Sequence, residues 1–452
     1  MTAANERLHR APAPTGIPPA RLARLVLWAV VGVNLLIVET VFLTADPAKN
    51  AILGLGKWLG LHLALVMILQ LILIARLPFL DRRIGMDRLT SWHRWTGFTL
   101  FWLVLLHPTF ILLGYASEYS TTPLTEFSNL TGQLPVLLGM LAAGIVLVAA
   151  GLSVRAARRR LSYEAWHAIH LLLYVAIVFA LIHQLTEVST FTSSPLAEAY
   201  WWALWVFALG SLIAGRVVLP LWRNARHQFR VAAVIPESHN VVSIYVTGKN
   251  MDKLPARAGQ FMIWRFLGHG RWWEANPFSL SAAPDGRTLR LTAKAVGSTS
   301  ARLRTIPIGS RVFAEGPYGA FTTLSRTKPT TLLIAGGVGV TPIRALLEEA
   351  NGPTTVLYRS PSPQDAVLLG ELQNLARSRG AQLHLLTGRT GAGSPPNTPF
   401  APENLAALVP DIRERDVYVC GPAAMTDAVL RSLRALKVPA AQVHSERFSL
   451  AS

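Results

Sequence analysis

Cysteine is almost absent. Cys420 is the single one in 452 residues. That excludes a disulfide framework and an iron–sulfur cluster held by cysteines. Charge is scarce too: 15% of residues are charged and 51% apolar, with a mean hydropathy of +0.35. Soluble domains carry about 25% charged residues, so part of this chain is expected in a membrane. Acids are the scarcest charges, 25 against 43 Lys and Arg, leaving a net charge of +18. Such a balance can mark nucleic-acid binding. Here the cations form no single patch, and no nucleic-acid partner is expected. The length implies two or three domains. Residues 1–20, rich in Pro, Ala and charge, read as a disordered cytoplasmic tail with no cleavable signal peptide.

Six apolar segments are long enough to span a bilayer. They run from Leu22 to Leu43, Leu55 to Leu77, Trp92 to Tyr115, Leu134 to Val154, Tyr163 to Gln184 and Tyr200 to Leu221. Arg76, Arg82, Arg83 and Arg88 lie between the second and third. Arg155, Arg158, Arg159 and Arg160 lie between the fourth and fifth, and Arg223, Arg226 and Arg230 follow the sixth. Alternate loops carry Asp46, Glu118, Glu126, Glu187 and Glu198. The positive-inside rule then predicts a multi-pass protein of the cell (inner) membrane with both termini cytoplasmic.

Four histidines stand out in these segments: His93 and His107 in the third, His170 and His183 in the fifth. Imidazole is costly in lipid, so the repetition calls for a function. Spacings of 14 and 13 residues correspond to about 21 and 20 Å of helix. With both helices running outward, His93 pairs in depth with His170, and His107 with His183. Two facing helices can hold two haems in this way, one above the other. The angles agree less well. Fourteen residues return to within about 40° of one face, whereas thirteen land about 140° away, so the fifth helix needs a bend or rewinding. His167 fits no better, at about 160° from His183, and helical geometry leaves His167 and His170 both open. His62, alone on the second segment, reads as packing or outer-surface lining.

After Arg223 short alternating segments appear, among them Val242-Ser-Ile-Tyr-Val and Leu289-Arg-Leu-Thr-Ala-Lys. They predict a small antiparallel barrel. From Thr330 the pattern becomes strand, glycine turn, helix, strand, with Gly336-Gly-Val-Gly-Val-Thr-Pro at the turn. Backbone amides and a helix N-terminus at such a turn bind phosphate.

In this order the motifs resemble the ferric reductase and NADPH oxidase superfamily, with a soluble half similar to ferredoxin–NADP reductases. Asn276-Pro277-Phe278-Ser279 is similar to that family's flavin motif. The resemblance implies that Phe278 packs on the isoalloxazine and that Ser279 bonds the flavin near N5. Asn276 stands where His or Arg is usual. Gly297 and Ser300 fall in the place of the pyrophosphate loop, and Gly316-Pro-Tyr-Gly resembles the barrel's end. Gly336, Gly337, Gly339, Thr341 and Pro342 match the pyridine-nucleotide loop. Arg359 is placed to grip a 2′-phosphate. Cys420, followed by Gly421 and Pro422, matches the segment beside the nicotinamide, and Phe448 the terminal aromatic that covers the flavin. Cys420 and Phe448 are thus the catalytic candidates. The family's bis-histidine pattern selects His170 over His167. Arg94 and Lys57 are candidates for the propionates of the inner and outer haems.

The resemblance implies a multidomain fold: a tail at 1–20, a six-helix transmembrane haem-binding bundle at 21–224, an FAD-binding β-barrel at 225–327 and an α/β NAD(P)H-binding domain at 328–452. It implies an enzyme with FAD, two b-type haems and NADPH. The expected path runs from NADPH through FAD and the inner and outer haems to an outer acceptor, with Phe101 or Leu105 between the haems. Dioxygen, giving superoxide, is the leading acceptor. A ferric chelate, or an electron-accepting partner protein or quinone, is the alternative.

Overall fold

The computed structural model describes residues 19–45, 47–154, 163–187, 194–268, 274–295, 298–388, 390–391 and 397–447. The N-terminal half is helical. α1 (Pro19–Thr44), α2 (Ala51–Ile74), α4 (Met86–Glu118) and α6 (Leu134–Ser153) are long and apolar, whereas α3 (Pro78–Ile84) and α5 (Pro123–Thr131) are short connectors. The fifth span is interrupted. It comprises α7 (Tyr163–Leu171) and α8 (Leu173–Glu187), joined at Leu172. There the bonds tighten to i→i−3, from Leu172 N to the Ile169 carbonyl and from Val175 N to the Leu172 carbonyl. This is a rewinding of the kind the histidine angles call for, set between His170 and His183. The sixth span, α9 (Pro195–Ile213), passes through a π-turn at Ala214–Val218 into α10 (Leu219–His227).

Sequence-local signals set the ends. Asn50 accepts from Leu53 N at 2.8 Å to cap α2, and its amide also donates to the Gly114 carbonyl of α4. Thr122 and Ser194 cap α5 and α9, each followed by proline. Six helices, among the described residues, are long and apolar enough to cross a membrane. α2 is the central one, with half of its apolar window buried against 6% for α1. It packs backbone to backbone on α4: a Cβ on Gly114 would stand 2.6 Å from Leu53 Cα. Such approach needs glycine.

Two three-stranded antiparallel sheets follow, ordered β1-β2-β5 and β4-β3-β6. Their strands are β1 (Arg230–Ser238), β2 (Val241–Thr247), β3 (Phe261–Phe266), β4 (Asn276–Ser279), β5 (Thr288–Lys294) and β6 (Val312–Tyr318). Bridges Arg230↔Arg311 and Leu280↔Leu291 join the sheets at both edges and close the predicted barrel. Val246, Met262, Trp264 and Leu291 fill it. The short helix α11 (Ser298–Arg302) follows β5.

The last domain is a parallel sheet ordered β11-β10-β7-β8-β9. It is built from β7 (Thr330–Gly336), β8 (Thr354–Arg359), β9 (Gln382–Leu386), β10 (Arg415–Gly421) and β11 (Val443–Arg447). Helices α12 (Val340–Glu349) and α13 (Leu369–Arg379) pack with one apolar core, and α14 (Pro402–Leu408) and α15 (Ala423–Ala435) with the other. A charged seam ties this domain to the barrel. Arg290 donates to both Glu371 oxygens at 2.9 Å, and Arg344 to Glu371 at 3.0 Å. Burial pushes the Glu371 carboxyl up, but the two arginines outweigh it and hold it below the ordinary value. The chain is thus multidomain, with an apolar six-span bundle leading into a two-domain soluble half.

Candidate functional site

A cavity of about 1720 Å³ runs through the helical bundle. His93, His107, His170 and His183 all line it, as do Arg94, Lys57, Phe101 and Leu105. The histidines fall into two layers. In the outer layer, His107 Nδ1 lies 2.8 Å from the Gly56 carbonyl and His183 Nδ1 lies 3.1 Å from the Pro135 carbonyl. A carbonyl only accepts, so each Nδ1 carries the proton and each Nε2 keeps its lone pair. That is the usual support for a metal-binding imidazole. In the inner layer the His93 and His170 rings lie 6.2 Å apart at 75°. Two imidazoles on one metal through bonds of about 2 Å stand with centroids on the order of 6 Å apart. The buried Nδ1 of His170 has no hydrogen-bond partner, and His93 faces the Gln70 backbone of α2. Trp166 stacks on His170 at 5.0 Å. The residues present therefore fit two bis-imidazole sites. His167 also lines the cavity, beside the inner pair. His62 is engaged elsewhere: Nδ1 bonds the Trp58 carbonyl at 2.9 Å, and Nε2 lies 3.2 Å from Glu39.

Glycines make room for the rings. A Cβ on Gly60 would stand 2.6 Å from His107 Cε1, and one on Gly139 would stand 2.9 Å from His183 Cγ. Gly56 and Gly60 form a small-xxx-small pair, the sequence signal that marks a close helix contact. Gly60→Ala is expected to displace His107 and weaken the outer site by about tenfold, as loss of a supporting contact does. Haem content after dialysis against apomyoglobin reads this directly. Two further cavity residues carry no signal in the sequence pattern. Gln70, 8% exposed, leaves Oε1 without a partner. Arg216, raised by the π-turn, donates from Nε to the Ile74 carbonyl at 3.0 Å.

In the barrel, Phe278 is half-buried on β4 opposite Met262, and Pro277 is exposed. Ser279 is buried, and its hydroxyl has no partner. A buried orphan hydroxyl is costly, and a flavin nitrogen would satisfy it. The Asn276 amide is committed to backbone, donating to the Trp264 and Glu274 carbonyls at 3.3 and 3.1 Å. Ser300 is buried. Gly297 and Phe448 lie outside the described residues.

The nucleotide loop joins β7 to α12. Gly337 has φ +52°, and a Cβ on Gly339 would stand 2.3 Å from the Cys420 carbonyl oxygen. Gly336 and Gly421 crowd Met425: a Cβ on either would come within 2.4 and 2.5 Å of its side chain. Thr341 donates to the Val338 carbonyl at 2.9 Å and, with Pro342, is buried at the helix start. Pro422 stands at the N-terminal boundary of α15. Arg359, at the end of β8, donates to the Thr387 carbonyl at 2.6 Å and to Thr390 at 3.3 Å. Its guanidinium is held at the sheet's C-terminal edge. Arg359→Ala is expected to raise KM for NADPH by about tenfold and KM for NADH by less than twofold, about 1.4 kcal/mol of phosphate recognition. Steady-state kinetics with both nucleotides checks it.

Cys420 is fully buried, and burial pushes its thiol up. Parallel pairing of β10 and β11 sets Glu446 opposite it. Glu446 is buried, burial pushes its carboxyl well above the ordinary range, and Oε2 has no partner. No motif in the sequence singled out Glu446, because only the strand pairing brings it to the Cys420 end of the sheet.

Comparison with known proteins accounts for both halves. Residues 59–181 match the ferric reductase like transmembrane component, and residues 333–431 the oxidoreductase NAD-binding domain. The glycine betaine monooxygenase reductase subunit of Chromohalobacter salexigens is 26% identical over 51% of this chain and 67% of its own length. The ferredoxin–NAD(+) reductase component of the alkene monooxygenase system of Xanthobacter autotrophicus is 31% identical over 49% of this chain and 70% of its own. The FAD/NAD-binding domain of nitric oxide dioxygenase from Vibrio cholerae is 26% identical, with a TM-score of 0.42, over 49% of this chain and 98% of that domain. The chain spans about two thirds of the curated relatives' length.

Proposed function

Because the chain belongs to the ferric reductase and NADPH oxidase-like oxidoreductases, a ferric reductase-like membrane component joined to ferredoxin reductase-like domains, we propose that it carries electrons from cytoplasmic NADPH across the cell membrane to dioxygen. That it is an NAD(P)H-dependent oxidoreductase and a multi-pass membrane protein follows from the family and its six apolar spans. The finer reading rests on one observation above all, the four histidines in two layers of one cavity.

When bound, FAD would split the two electrons of a hydride into single transfers, and two b haems would pass them outward. The chain's own residues set the conditions. The 336–342 loop and Arg359 hold the nucleotide phosphates. Phe278 would pack on the flavin ring, and the unpartnered Ser279 hydroxyl would hydrogen-bond it near N5. By the resemblance, Phe448 would cover the ring and Cys420 would border the nicotinamide. His93 with His170, and His107 with His183, would hold the two haems, each iron taking two imidazoles and leaving no site for oxygen to bind. Arg94 and Lys57 offer charge to the propionates. Each NADPH then yields two superoxide ions from two dioxygen molecules, with one proton released.

The arginine-rich loops support a cytoplasmic placement of both termini. α3, with Arg82 and Arg83, lies on the side where the soluble half docks. A second reading has its own support. The relatives are named as reductase components of monooxygenase systems, which favours delivery to a partner protein. Vesicles loaded with FAD and given NADPH separate the readings. Cytochrome c reduction abolished by superoxide dismutase supports dioxygen. Rapid ferric-chelate reduction without superoxide in air supports a ferric reductase. Negligible turnover with either supports a dedicated partner.

A further inference from the structure

The Ala314–Gly319 segment of the barrel is gripped by the membrane half from two sides. From the sixth span, Asn224 donates to the Ala314 carbonyl at 2.8 Å and accepts from Ala314 N at 2.9 Å, in the manner of a paired strand. Arg223, itself buried, donates to the Gly316 carbonyl. From the link between the second and third spans, Asp81 accepts from Gly319 N at 2.7 Å. Arg76 bonds Glu315 at 2.6 Å and lies 5.5 Å over the Tyr318 ring. Arg265 of β3 bonds the other Glu315 oxygen. Glu315 is only 7% exposed, so one buried carboxylate joins a membrane-half cation to a barrel cation.

The grip continues toward the cavity. Arg76 has φ +57° and begins two residues beyond Ile74, whose carbonyl accepts from Arg216. Arg216 lines the cavity with His93 and His170. Gly215 lies so close that a Cβ there would stand 2.0 Å from the Ala75 oxygen. The path from the barrel strand to the inner histidines therefore runs through packed backbone and directed bonds.

We propose that Glu315, bridging Arg76 and Arg265, fixes the flavin-binding barrel over the inner histidine pair, making Glu315 and Arg76 positioning residues for electron transfer from the soluble half into the membrane half. Buried ion pairs contribute little net stability but specify a geometry, and removing one partner leaves the other uncompensated. Electron transfer between the halves needs one fixed separation, whereas hydride transfer inside the soluble half does not. The inference rests on the haem reading above.

The test uses full-length protein in detergent with FAD bound, comparing wild type, Glu315→Gln, Arg76→Gln and Arg76→Lys by anaerobic stopped flow. NADPH is expected to bleach the flavin in all four within twofold of wild type, with unchanged KM. Haem reduction is expected to slow at least tenfold in the two Gln variants and to recover largely in Arg76→Lys. Amide exchange over residues 314–319 is expected to rise in the Gln variants. Haem reduction at the wild-type rate in both Gln variants overturns the proposal, as does equal slowing of flavin bleaching. The dithionite-reduced spectrum reports folding of the bundle independently. A wild-type protein without haem overturns the underlying reading, and is told apart from failure of the clasp by that spectrum.

Discussion

His107→Ala is expected to halve the haem content while leaving the chain folded and the flavin reducible by NADPH. The dithionite-reduced α band should fall to about half, and NADPH-driven reduction of any outer acceptor by about 100-fold or more, the upper end of losses at a metal site. His107 is held by the Gly56 carbonyl, and His183 by the Pro135 carbonyl, contacts that His93 and His170 do not share. Removing one imidazole leaves His183 with an unfilled partner but leaves the His93–His170 spacing untouched. The cavity created is small beside the existing 1720 Å³, so its stability cost is modest. His62→Ala is the control. His62 is tied to Trp58 and Glu39 and is not among the cavity residues, so both haems should stay. Two haems retained in His107→Ala, by pyridine haemochrome against protein mass, would falsify the layered assignment.

How much of this was legible in the sequence differs from residue to residue. The spans, the barrel and the βαβ unit were, because lipid and a packed sheet impose hydropathy periods that few other arrangements satisfy. The pairing of His93 with His170 was legible from charge topology, whereas the direction of each ring was not. An unbroken helix puts His170 and His183 on different faces, and the tightened turn at Leu172 follows from no residue there that breaks helices. The ring supports were half legible. Gly56-Lys-Trp-Leu-Gly60 carries the small-xxx-small signal, while the Gly56 carbonyl that receives His107 is a backbone atom with no sequence mark. Glu446, Arg216 and the Glu315 bridge were silent. Each depends on contacts between segments far apart in the chain, the Arg76–Glu315 bond spanning 239 residues. The Gly316-Pro-Tyr-Gly motif was visible as the end of a barrel, but its role as the strand on which the two halves meet is tertiary.

Asp81→Asn is expected to stabilise the docked protein at pH 8 and to make no difference near pH 4. Asp81 is 1% exposed, and one of its oxygens has no partner. Burial raises its carboxyl from the ordinary 3.8 to about 6, against the opposing pull of the Gly319 N–H, Arg76 and Arg82. The folded state thus holds a proton that the unfolded chain has already lost. Between about pH 4 and 6 the folded state binds more protons, so stability falls as pH rises through that window. Above about pH 6 the full cost is present, on the order of 3 kcal/mol for a shift of about two units. Below about pH 4 both states are protonated and the cost disappears. Asparagine keeps an acceptor for Gly319 N–H and never ionises, so it escapes the cost throughout. The difference in unfolding temperature between Asp81→Asn and wild type should therefore grow from pH 4 to pH 7 and then level off. An Asn variant that is less stable than wild type by the same margin at every pH would show that the ionised carboxylate's bonds outweigh its burial. The same experiment links structure to turnover. If protonation eases Asp81 against Gly319, NADPH-driven haem reduction in wild type should quicken between pH 8 and pH 6, while flavin bleaching changes less. In Asp81→Asn that acceleration should vanish.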